Sequence, residues 1–475
     1  MSLRVRIAPS PTGPLHVGTA RSALFNYLFA KKEGGAFILR IDDTDKKRSD
    51  KAFEEDIKKN LLWLGISWDD SIRQSERTAL YRKHLQKLLE EGILFRCSHT
   101  SAELAQEREE LIKNKQTPMH RCKDRDAVLG GGILRFKNME TAPVVFHDEI
   151  RGNISFDPKI LGDFSVARDI DSPLYNFTTV VDDIDLGITH VIRGEDHIPN
   201  TPKQILLARA LGHTELFSYA HLPLILGKDR SKLSKRHGAV AISQYQKEGY
   251  LPDAMINFLA LLGWHPKKQK AGERGKGQEE EIFSREELIG IFSLHAVQRG
   301  GAIFDPEKLK WMNGVYIRQM NVGMLANLLL PYLKDEWRKQ AESDGLWWGK
   351  IVILEQERLG SLQDIGDRIG YFFEEPLVKK EVLMGGFSDT VRIASHLRSI
   401  QKIIEGCSAG NFTKDVISEK VLEYAGQHAK KEVLWPFRVS LTGKKASPGL
   451  FEVAEILGKK TVLKRLEYAA TLLES

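Results

Sequence analysis

The sequence contains very little cysteine and no long apolar run. Only three cysteines, Cys97, Cys122 and Cys407, occur among 475 residues, which argues against a disulfide framework and favours a reducing compartment. We therefore expect a cytoplasmic protein. No stretch of about 18 consecutive apolar residues is present, so we expect no membrane-spanning segment and no membrane partner. The first residues alternate as a strand does, so we expect no secretory signal peptide there.

Two common nucleotide-binding strings are also missing. The P-loop pattern G-x-x-x-x-G-K-[ST] occurs nowhere, and no G-x-G-x-x-G follows the first predicted strand. A phosphate site in this chain must therefore be built in another way. Apolar residues make up 42% and charged residues 28% of the chain, as in ordinary globular proteins. The net charge of +6 is compatible with a polyanionic partner but does not require one.

What the N-terminal part does contain is an alternation of strands and helices. Residues 3–7 alternate as a strand, and the proline-rich turn at 9–14 ends it. A helical pattern runs from there to Gly34, and a second strand spans 36–41. Ser49 is placed to cap the next helix, which ends at a glycine. Strand, helix, strand, helix is typical of a parallel sheet covered on both faces.

The alternation is interrupted after residue 95 and resumes later. A strand at 188–193, a helix that ends at Gly212 and a strand at 219–226 continue the same pattern, whereas the chain beyond about 240 is helical. We therefore predict an α/β fold. It consists of a Rossmann-type parallel sheet, split by an inserted α+β domain and followed by all-α C-terminal domains.

Two segments that follow strands carry residues suited to a nucleoside triphosphate. His16 and Gly18 lie at the start of the first predicted helix, where unpaired N–H groups attract phosphate and a glycine lets a ligand approach. The basic loop at 232–236 follows the last strand, and its cations can neutralise charge on a leaving pyrophosphate. Taken alone, each segment has a plain alternative, a Pro/Gly turn in one case and a solvated basic loop in the other.

Together the two segments resemble the paired signature of class I aminoacyl-tRNA synthetases. The string APSPTGPLHVG at 8–18 is similar to the HIGH region of the glutamyl-tRNA synthetase family, and KLSKR at 232–236 resembles its KMSKS loop. The similarity continues through RIDDTD at 40–45, LYNF at 174–177, VIRGEDH at 191–197 and WPFRVSLTG at 435–443. The resemblance therefore extends over nearly the whole chain.

The resemblance implies an enzyme that attaches L-glutamate to tRNA(Glu). Glutamate and ATP, the latter with Mg²⁺, would give glutamyl-adenylate and pyrophosphate, and the glutamyl group would pass to the 3′ end of the tRNA. His16, Lys232 and Lys235 would be the catalytic residues. The ATP site would consist of His16, Gly18, Thr19 and Lys235. The enzyme is expected to be a monomer.

A glutamate substrate needs cations for its two carboxylates and an anion for its ammonium group. Arginine suits the first task because its guanidinium contacts a carboxylate through two N–H groups. The expected glutamate-binding residues are Arg6, Ser10, Asp42, Tyr175 and Arg193. Asp42 would take the ammonium, although the usual family string has glutamate there. Capping, or pairing with Lys46, is the alternative role for Asp42.

Two pairs of soft ligands predict a structural zinc site in the insertion. Cys97 and His99 are two residues apart, as are His120 and Cys122, with a polar helix predicted between the pairs. Such N/S donors suit tetrahedral Zn²⁺. The resemblance supports a zinc here, but the position of the family's last ligand aligns with Asp124 instead of His120. Unpaired cysteine and histidine side chains without a metal are the alternative.

The family pattern also predicts how the chain is divided. We expect a Rossmann catalytic domain at 1–96 and 176–228, an inserted acceptor-stem-binding domain at 97–175, a stem-contact region at 229–305, and helical anticodon-binding domains at 306–372 and 373–475. The polar stretch at 266–281 is expected to be a loop. In the last domain, cations and aromatic residues could bind phosphate and stack on anticodon bases: Lys430, Lys431, Trp435, Phe437, Arg438, Lys444 and Lys445.

Other functions compete with this interpretation. A non-discriminating enzyme would also charge tRNA(Gln), and Gly360 favours it slightly because relatives often carry a larger basic side chain there. A nucleotidyltransferase of the same fold would share the chemistry of His16 and Lys235 but has no need of the helical C-terminal half. A catalytically silent tRNA-binding protein is disfavoured because both ATP motifs are intact.

Overall fold

Strands and helices alternate in the first part of the chain, as predicted. The structure is a computed structural model that describes residues 2–120, 122–127, 130–215, 217–234, 241–266 and 281–475. Its strands are β1 (Arg4–Ile7), β2 (Ala36–Ile41), β3 (Asp70–Arg73), β4 (Leu94–Cys97), β5 (Ile133–Phe136), β6 (Val144–Asp148), β7 (Gly152–Phe156), β8 (Phe164–Ala167), β9 (His190–Gly194), β10 (Ser218–Leu222), β11 (Ile225–Leu226) and β12 (Ala302–Ile303). The helices up to residue 305 are α1 (Val17–Lys32), α2 (Lys51–Trp63), α3 (Thr78–Glu90), α4 (Ser101–Lys113), α5 (Pro158–Leu161), α6 (Tyr175–Asp185), α7 (Thr201–Ala210), α8 (Ile242–Lys247), α9 (Pro252–Leu261) and α10 (Arg285–Ile291).

The chain divides into two compact units. The first comprises Met1–Lys247 and Pro252–Leu309, and the second comprises Glu248–Leu251 and Lys310–Ser475. In the first unit, β1, β2 and β3 pair in parallel, and so do β9 and β10. The backbone N–H of Thr189 donates to Arg4 O (2.9 Å), which places the start of β9 beside β1. The prediction of a parallel sheet whose two halves are separated along the chain is confirmed.

The insertion shares its core with this sheet. β4, β5 and β8 form an antiparallel sheet of their own, whereas β6 pairs with β7 on one side and in parallel with β10 on the other, through Asp148 and Tyr219. Phe146 of β6 and Val191 of β9 belong to the same buried apolar cluster. The insertion therefore carries Asp148 into the centre of the unit, while its predicted limits, 97 and 175, stay a prediction.

Two details differ from the sequence prediction. α2 is capped by Asp50 and not by Ser49, because the Asp50 carboxylate accepts a hydrogen bond from Ala52 N (2.8 Å) and its charge suits a helix N-terminus. The strand expected at 219–226 is interrupted at Pro223, so that β10 ends at Leu222 and β11 begins three residues further on, at Ile225. Proline has no N–H for a strand ladder, which accounts for the break.

The second unit contains only helices and turns among its described residues. They are α11 (Pro306–Gln319, which the division crosses), α12 (Val322–Leu329), α13 (Asp335–Ser343), α14 (Gly345–Gln356), α15 (Ile365–Arg368), α16 (Gly370–Phe373), α17 (Lys380–Met384), α18 (Thr390–Glu405), α19 (Lys414–Gly426), α20 (Lys430–Thr442) and α21 (Leu450–Glu474). The all-α prediction is confirmed. Throughout the described part of the chain, every helix is too short or too polar to span a bilayer.

Candidate active site

The turn after β1 leads to a histidine that caps α1. His16 Nδ1 accepts a hydrogen bond from Gly18 N (3.0 Å), so the proton of the neutral ring lies on Nε2. Burial and the nearby Lys232 lower the pKa of His16, which keeps the ring neutral at pH 7. His16 can therefore donate one N–H at a helix N-terminus, where free amide groups attract phosphate.

A cavity of about 370 Å³ lies beyond the carboxyl ends of β1 and β9. It brings together eight of the predicted site residues: Arg6, Ser10, His16, Gly18, Thr19, Tyr175, Arg193 and Lys232. Lys235, the other predicted catalytic lysine, lies outside the described residues. Segments that are far apart in sequence thus converge on one space that can hold a substrate.

Arg193 is buried in this cavity with one nitrogen unused. Its Nε donates to His221 Nε2 (3.3 Å) and its Nη2 to Thr201 Oγ1 (2.9 Å), while Nη1 has no hydrogen-bond partner. An unpaired buried donor costs free energy, and more so when it is charged. The arrangement is therefore suited to an anionic group that a ligand brings into the cavity.

Arg6 also lines the cavity but is held differently, in a direct ion pair. Arg6 Nε and Nη2 donate to the two oxygens of Asp183 (3.0 and 3.1 Å), and Arg40 Nη1 also donates to Asp183 (2.7 Å). Burial alone would raise the pKa of Asp183, but Arg6 and Arg40 outweigh it and lower that pKa. Because Asp183 occupies the Nε–Nη2 edge of Arg6, a bidentate grip on a substrate through that edge is excluded.

Asp42 does not take the place that the resemblance implied. Its two oxygens accept from Arg40 Nε (2.7 Å) and Nη2 (3.1 Å), and Asp42 does not line the cavity. Burial raises the pKa of Asp42 to about 6, although the attraction of Arg40 opposes the shift. The alternative prediction, an ion pair of Asp42 with Lys46, is wrong as well, because the partner of Asp42 is Arg40.

Among the cavity residues that were not assigned a role from the sequence, His197, Asp196 and Arg21 have informative contacts. Tyr175 Oη lies 3.1 Å from His197 Nδ1, and Lys232 Nζ lies 3.4 Å from Asp196 Oδ2. His197 and Asp196 both belong to the VIRGEDH string at 191–197. The resemblance to the family extends over the whole string, which was a signal that residues other than Arg193 contribute to the site. Arg21 of α1 is buried and donates only to backbone carbonyl oxygens, and no pattern in the sequence marked it.

The four predicted zinc ligands meet at one point in the insertion. One ligand atom from each of Cys97, His99, His120 and Cys122 lies within 4.8 Å of the others. Cys97 Sγ is 3.4 Å from His99 Nδ1 and 3.6 Å from His120 Nε2. These separations suit four ligands around one ion with bonds of about 2.0–2.3 Å. Two sulfur and two imidazole donors therefore fit Zn²⁺.

The structure favours His120 over Asp124 as the fourth ligand. Asp124 Oδ2 accepts two hydrogen bonds from Ser98, through N (2.8 Å) and Oγ (2.6 Å), and lies 3.7 Å from His99 Nδ1, so this oxygen is engaged outside the cluster. Glu107 contacts His120 Nδ1, which leaves Nε2 directed at the cysteines. The polar helix predicted between the pairs is α4, which has no buried residue.

Several residues expected to bind anticodon bases are engaged inside the second unit. Phe437 is fully buried and cannot stack on a base. The Trp435 indole N–H donates to Val382 O (2.8 Å), and Arg438 Nη1 donates to backbone oxygens of the loop after α20. The lysines that stay exposed are Lys430, Lys431 and Lys445. The prediction that Phe437 stacks on an anticodon base is therefore wrong, because Phe437 lies on the buried face of α20.

Comparisons with known proteins show which family the chain resembles. The family of class I tRNA synthetases (E and Q), catalytic domain, matches residues 2–311, and an anticodon binding domain matches residues 324–470. A glutamate--tRNA ligase from Carboxydothermus hydrogenoformans is 41% identical over 98% of this chain and 99% of its own length. One from Aquifex aeolicus is 42% identical over 98% of both chains.

A solved structure agrees at the level of the whole fold. The crystal structure of a glutamate tRNA ligase from Elizabethkingia meningosepticum in complex with its amino acid superposes with a TM-score of 0.87, at 30% identity over 100% of both chains. Sequence and fold thus match these relatives over almost the whole chain. The chain belongs to the glutamate--tRNA ligase family of the class I aminoacyl-tRNA synthetases.

Proposed function

We propose that this chain activates L-glutamate with ATP and transfers it to tRNA(Glu). The observation that carries the proposal is the single cavity shared by the neutral imidazole of His16, the ammonium of Lys232 and the unpaired donor of Arg193. A glutamate carboxylate oxygen attacks the α-phosphorus of ATP, the bond to the bridging oxygen breaks, and pyrophosphate leaves. A hydroxyl at the tRNA 3′ end then attacks the glutamyl carbonyl, and AMP leaves.

Both reactants of the first step are anions, so the rate depends on positioning and positive charge. His16 Nε2 donates to the ATP phosphates at the start of α1, where Gly18 and Thr19 allow close approach. Lys232 and Lys235 stabilise the charge that develops on the leaving pyrophosphate. ATP enters with Mg²⁺, as in other class I synthetases.

Glutamate recognition depends on the arginines of the cavity. Arg193 donates through Nη1 to a substrate carboxylate, and Arg6 adds positive charge nearby. Tyr175 and Ser10 contribute neutral hydrogen bonds. Asp42 acts indirectly, by holding Arg40 beside the same Asp183 that orients Arg6.

The remaining parts of the chain bind the tRNA. The insertion at 97–175 contacts the acceptor stem, and one Zn²⁺ held by Cys97, His99, His120 and Cys122 would cross-link its start. The helical parts at 306–372 and 373–475 bind the anticodon, and the regions at 1–96, 176–228 and 229–305 form the catalytic and stem-contact parts. The enzyme acts as a monomer.

Gly360 makes tRNA(Gln) a second candidate substrate. A Cβ at this position would lie 2.4 Å from Lys310 Cε, and Lys310 Nζ pairs with Asp364 Oδ1 (3.2 Å). The stem of Lys310 thus fills the space that a larger residue at 360 would need. A side chain that could reject an anticodon base is missing from this position, and its loss widens the range of tRNAs accepted.

Charging assays with purified tRNA(Glu) and tRNA(Gln) and labelled glutamate test both statements. We expect glutamate to be attached to tRNA(Glu), and no acylation of that tRNA would overturn the proposed function. Acylation of tRNA(Gln) at a comparable rate would establish the second substrate. Acylation of tRNA(Glu) alone would remove it.

A further inference from the structure

Three buried side chains form a relay that reaches Arg193 from the insertion. Asp148 is the last residue of β6, His221 lies in β10, and both are fully buried. Asp148 Oδ2 lies 2.6 Å from His221 Nδ1, and Arg193 Nε donates to His221 Nε2 (3.3 Å). The parallel pairing of β10 with β6 and with β9 brings the three residues together.

The direction of each hydrogen bond follows from the donors available. A guanidinium has only donors, so His221 Nε2 must accept and carries no proton. The proton of the neutral ring is then on Nδ1, which donates it to Asp148. Burial and the repulsion from Arg193 both lower the pKa of His221, whereas the hydrogen bond to Asp148 raises it. The lowering effects prevail, so the ring stays neutral at pH 7.

Asp148 accepts four hydrogen bonds, which only a carboxylate can do. Oδ1 accepts from Ile150 N (3.0 Å) and Arg151 N (2.8 Å), and Oδ2 accepts from His221 N (3.0 Å) in addition to the ring. Burial would raise the pKa of Asp148, but the hydrogen bonds from His221 and the backbone outweigh it and lower that pKa. An amide in this position would direct its NH₂ group at donors on either side.

The relay orients Arg193 without neutralising it. With Nε held by His221 and Nη2 by Thr201, the guanidinium is fixed at two nitrogens, and Nη1 is the one left without a partner. Arg6 differs, because Asp183 pairs with it directly. A neutral imidazole between Asp148 and Arg193 transmits the orientation and leaves the positive charge of Arg193 for a ligand.

We propose that Asp148 and His221 are positioning residues that act through Arg193 to bind a carboxylate of the glutamate substrate. The inference rests on the proposed function and adds to it two residues that do not line the cavity. We expect their contribution to be confined to amino-acid binding, because the hydrogen bonds of both side chains among the described residues go to neither His16 nor Lys232. The expected consequence is a change in KM for glutamate with KM for ATP preserved.

The substitution His221→Asn tests this most sharply. The asparagine side chain keeps a donor for Asp148 near the Nδ1 position but removes the acceptor for Arg193 Nε. Loss of a hydrogen bond to a charged group predicts a rise in KM for glutamate of about ten-fold or more, measured by ATP–pyrophosphate exchange. KM for ATP is expected to stay within about two-fold, because a group without a changed contact contributes no differential binding.

Two further variants keep the test independent of folding. His147→Asn is the matched control, since His147 precedes Asp148 on β6 but is exposed, and it should leave both KM values unchanged. Thr201→Val removes the partner of Nη2 and a contact of Thr201 Oγ1 with His221 Nε2 (3.1 Å), but it keeps the hydrogen bond between Arg193 Nε and His221, so it should show the same KM split to a smaller extent. Each variant is first checked for a wild-type far-UV circular dichroism spectrum and a cooperative melting transition.

The protonation of His221 gives a readout that does not depend on activity. ¹⁵N NMR of the histidine side chains should place the His221 proton on Nδ1 in the wild type. Asp148→Asn should move it to Nε2, where it faces Arg193, and should raise KM for glutamate as His221→Asn does. The precedent for the physics is that replacing a triad aspartate by asparagine selects the wrong histidine tautomer.

The outcomes separate the relay from the proposed function. An unchanged KM for glutamate in a folded His221→Asn variant, equal rises in both KM values, or an Nε2–H tautomer in the wild type would each overturn the relay. A wild-type enzyme that charges tRNA(Glu) under those outcomes would leave the function standing. No glutamate-dependent exchange in the wild type, either with or without tRNA(Glu), would instead overturn the function and, with it, the role of the relay.

Discussion

His16 and Lys232 are coupled through their charges, and this coupling can be measured. The pKa of His16 is lowered by burial and by repulsion from Lys232. In Lys232→Ala we expect the pKa of His16 to rise towards 6.5, because the repulsion disappears, and to stay below that value because the burial remains. An NMR titration of the His16 ring checks the shift.

Lys228→Ala serves as the control for this titration. Lys228 lies in the turn before Lys232, is mostly exposed and pairs with Asp305 at 3.3 Å. It should leave the pKa of His16 unchanged. A His16 pKa that is the same in Lys232→Ala as in the wild type would show that the two groups are not neighbours in solution.

Lys235 is the residue on which the chemical step depends most in our account. Removing a group aimed at transition-state charge typically slows the step by about 100-fold or more, and we expect this for Lys235→Ala in single-turnover formation of the adenylate. KM for glutamate should change little, because the loss falls on the leaving pyrophosphate. Near-normal turnover of this variant would refute the role, and Lys228→Ala again provides the matched comparison.

Site residues could be predicted where a single short motif contains them. Their hydrogen-bond partners were harder to predict where those partners lie in distant parts of the chain. His16 and Gly18 follow from the turn and the helix start. The pairing of Asp42 with Arg40 was readable in principle, because residues two apart in an extended chain face the same side. The partners of Arg193 were not readable, because His221 and Thr201 reach it only through the tertiary fold.

At the level of elements, one glycine packs directly against the backbone of a predicted zinc ligand. Gly132 has φ +114°, and a Cβ there would lie 2.5 Å from Cys97 O. Gly132→Ala should therefore lower the free energy of unfolding by about 1–3 kcal/mol and weaken metal retention, as strained backbone at such a position predicts. Urea unfolding and metal analysis measure both effects.

The neighbouring glycine is a built-in control. A Cβ at Gly131 would meet no atom within 4 Å. Gly131→Ala should thus keep the stability and metal content of the wild type. Equal effects of the two substitutions would mean that the contact with Cys97 is not what limits this turn.

The fourth zinc ligand can be identified by a pair of variants. His120→Ala should lose zinc during dialysis without chelator, because it removes one of four donors, whereas Asp124→Asn should retain zinc since Asp124 is engaged with Ser98. Metal analysis of both purified proteins distinguishes the candidates. Zinc loss in Asp124→Asn but not in His120→Ala would reverse the assignment, and zinc missing from the wild type would end it.

Elements with strong local signals were predicted well. β2 spans 36–41 as expected, and Ser284 with Glu287, a serine followed three residues later by a glutamate, forms a capping box at the start of α10. The strand at 219–226 was overextended because its apolar pattern continues across Pro223. Local periodicity does not report that a proline has removed the N–H needed for the next ladder bond.

At the scale of the whole molecule, the sequence predicted the order of the parts better than their connections. The family matches at 2–311 and 324–470 agree with a catalytic part followed by a helical part. The pairing of β6 with β10 could not be foreseen, because strand partners distant in sequence are chosen by the packing of the complete core. That pairing is what places Asp148 within reach of His221.

The most direct test of the central claim is ATP–pyrophosphate exchange with glutamate, run with and without tRNA(Glu) on the wild type and on His16→Ala. We predict that labelled pyrophosphate enters ATP only when glutamate is present, that glutamine does not replace it, and that His16→Ala lowers the rate by about 100-fold. Exchange that does not require glutamate, or that is undiminished in His16→Ala, would contradict the account.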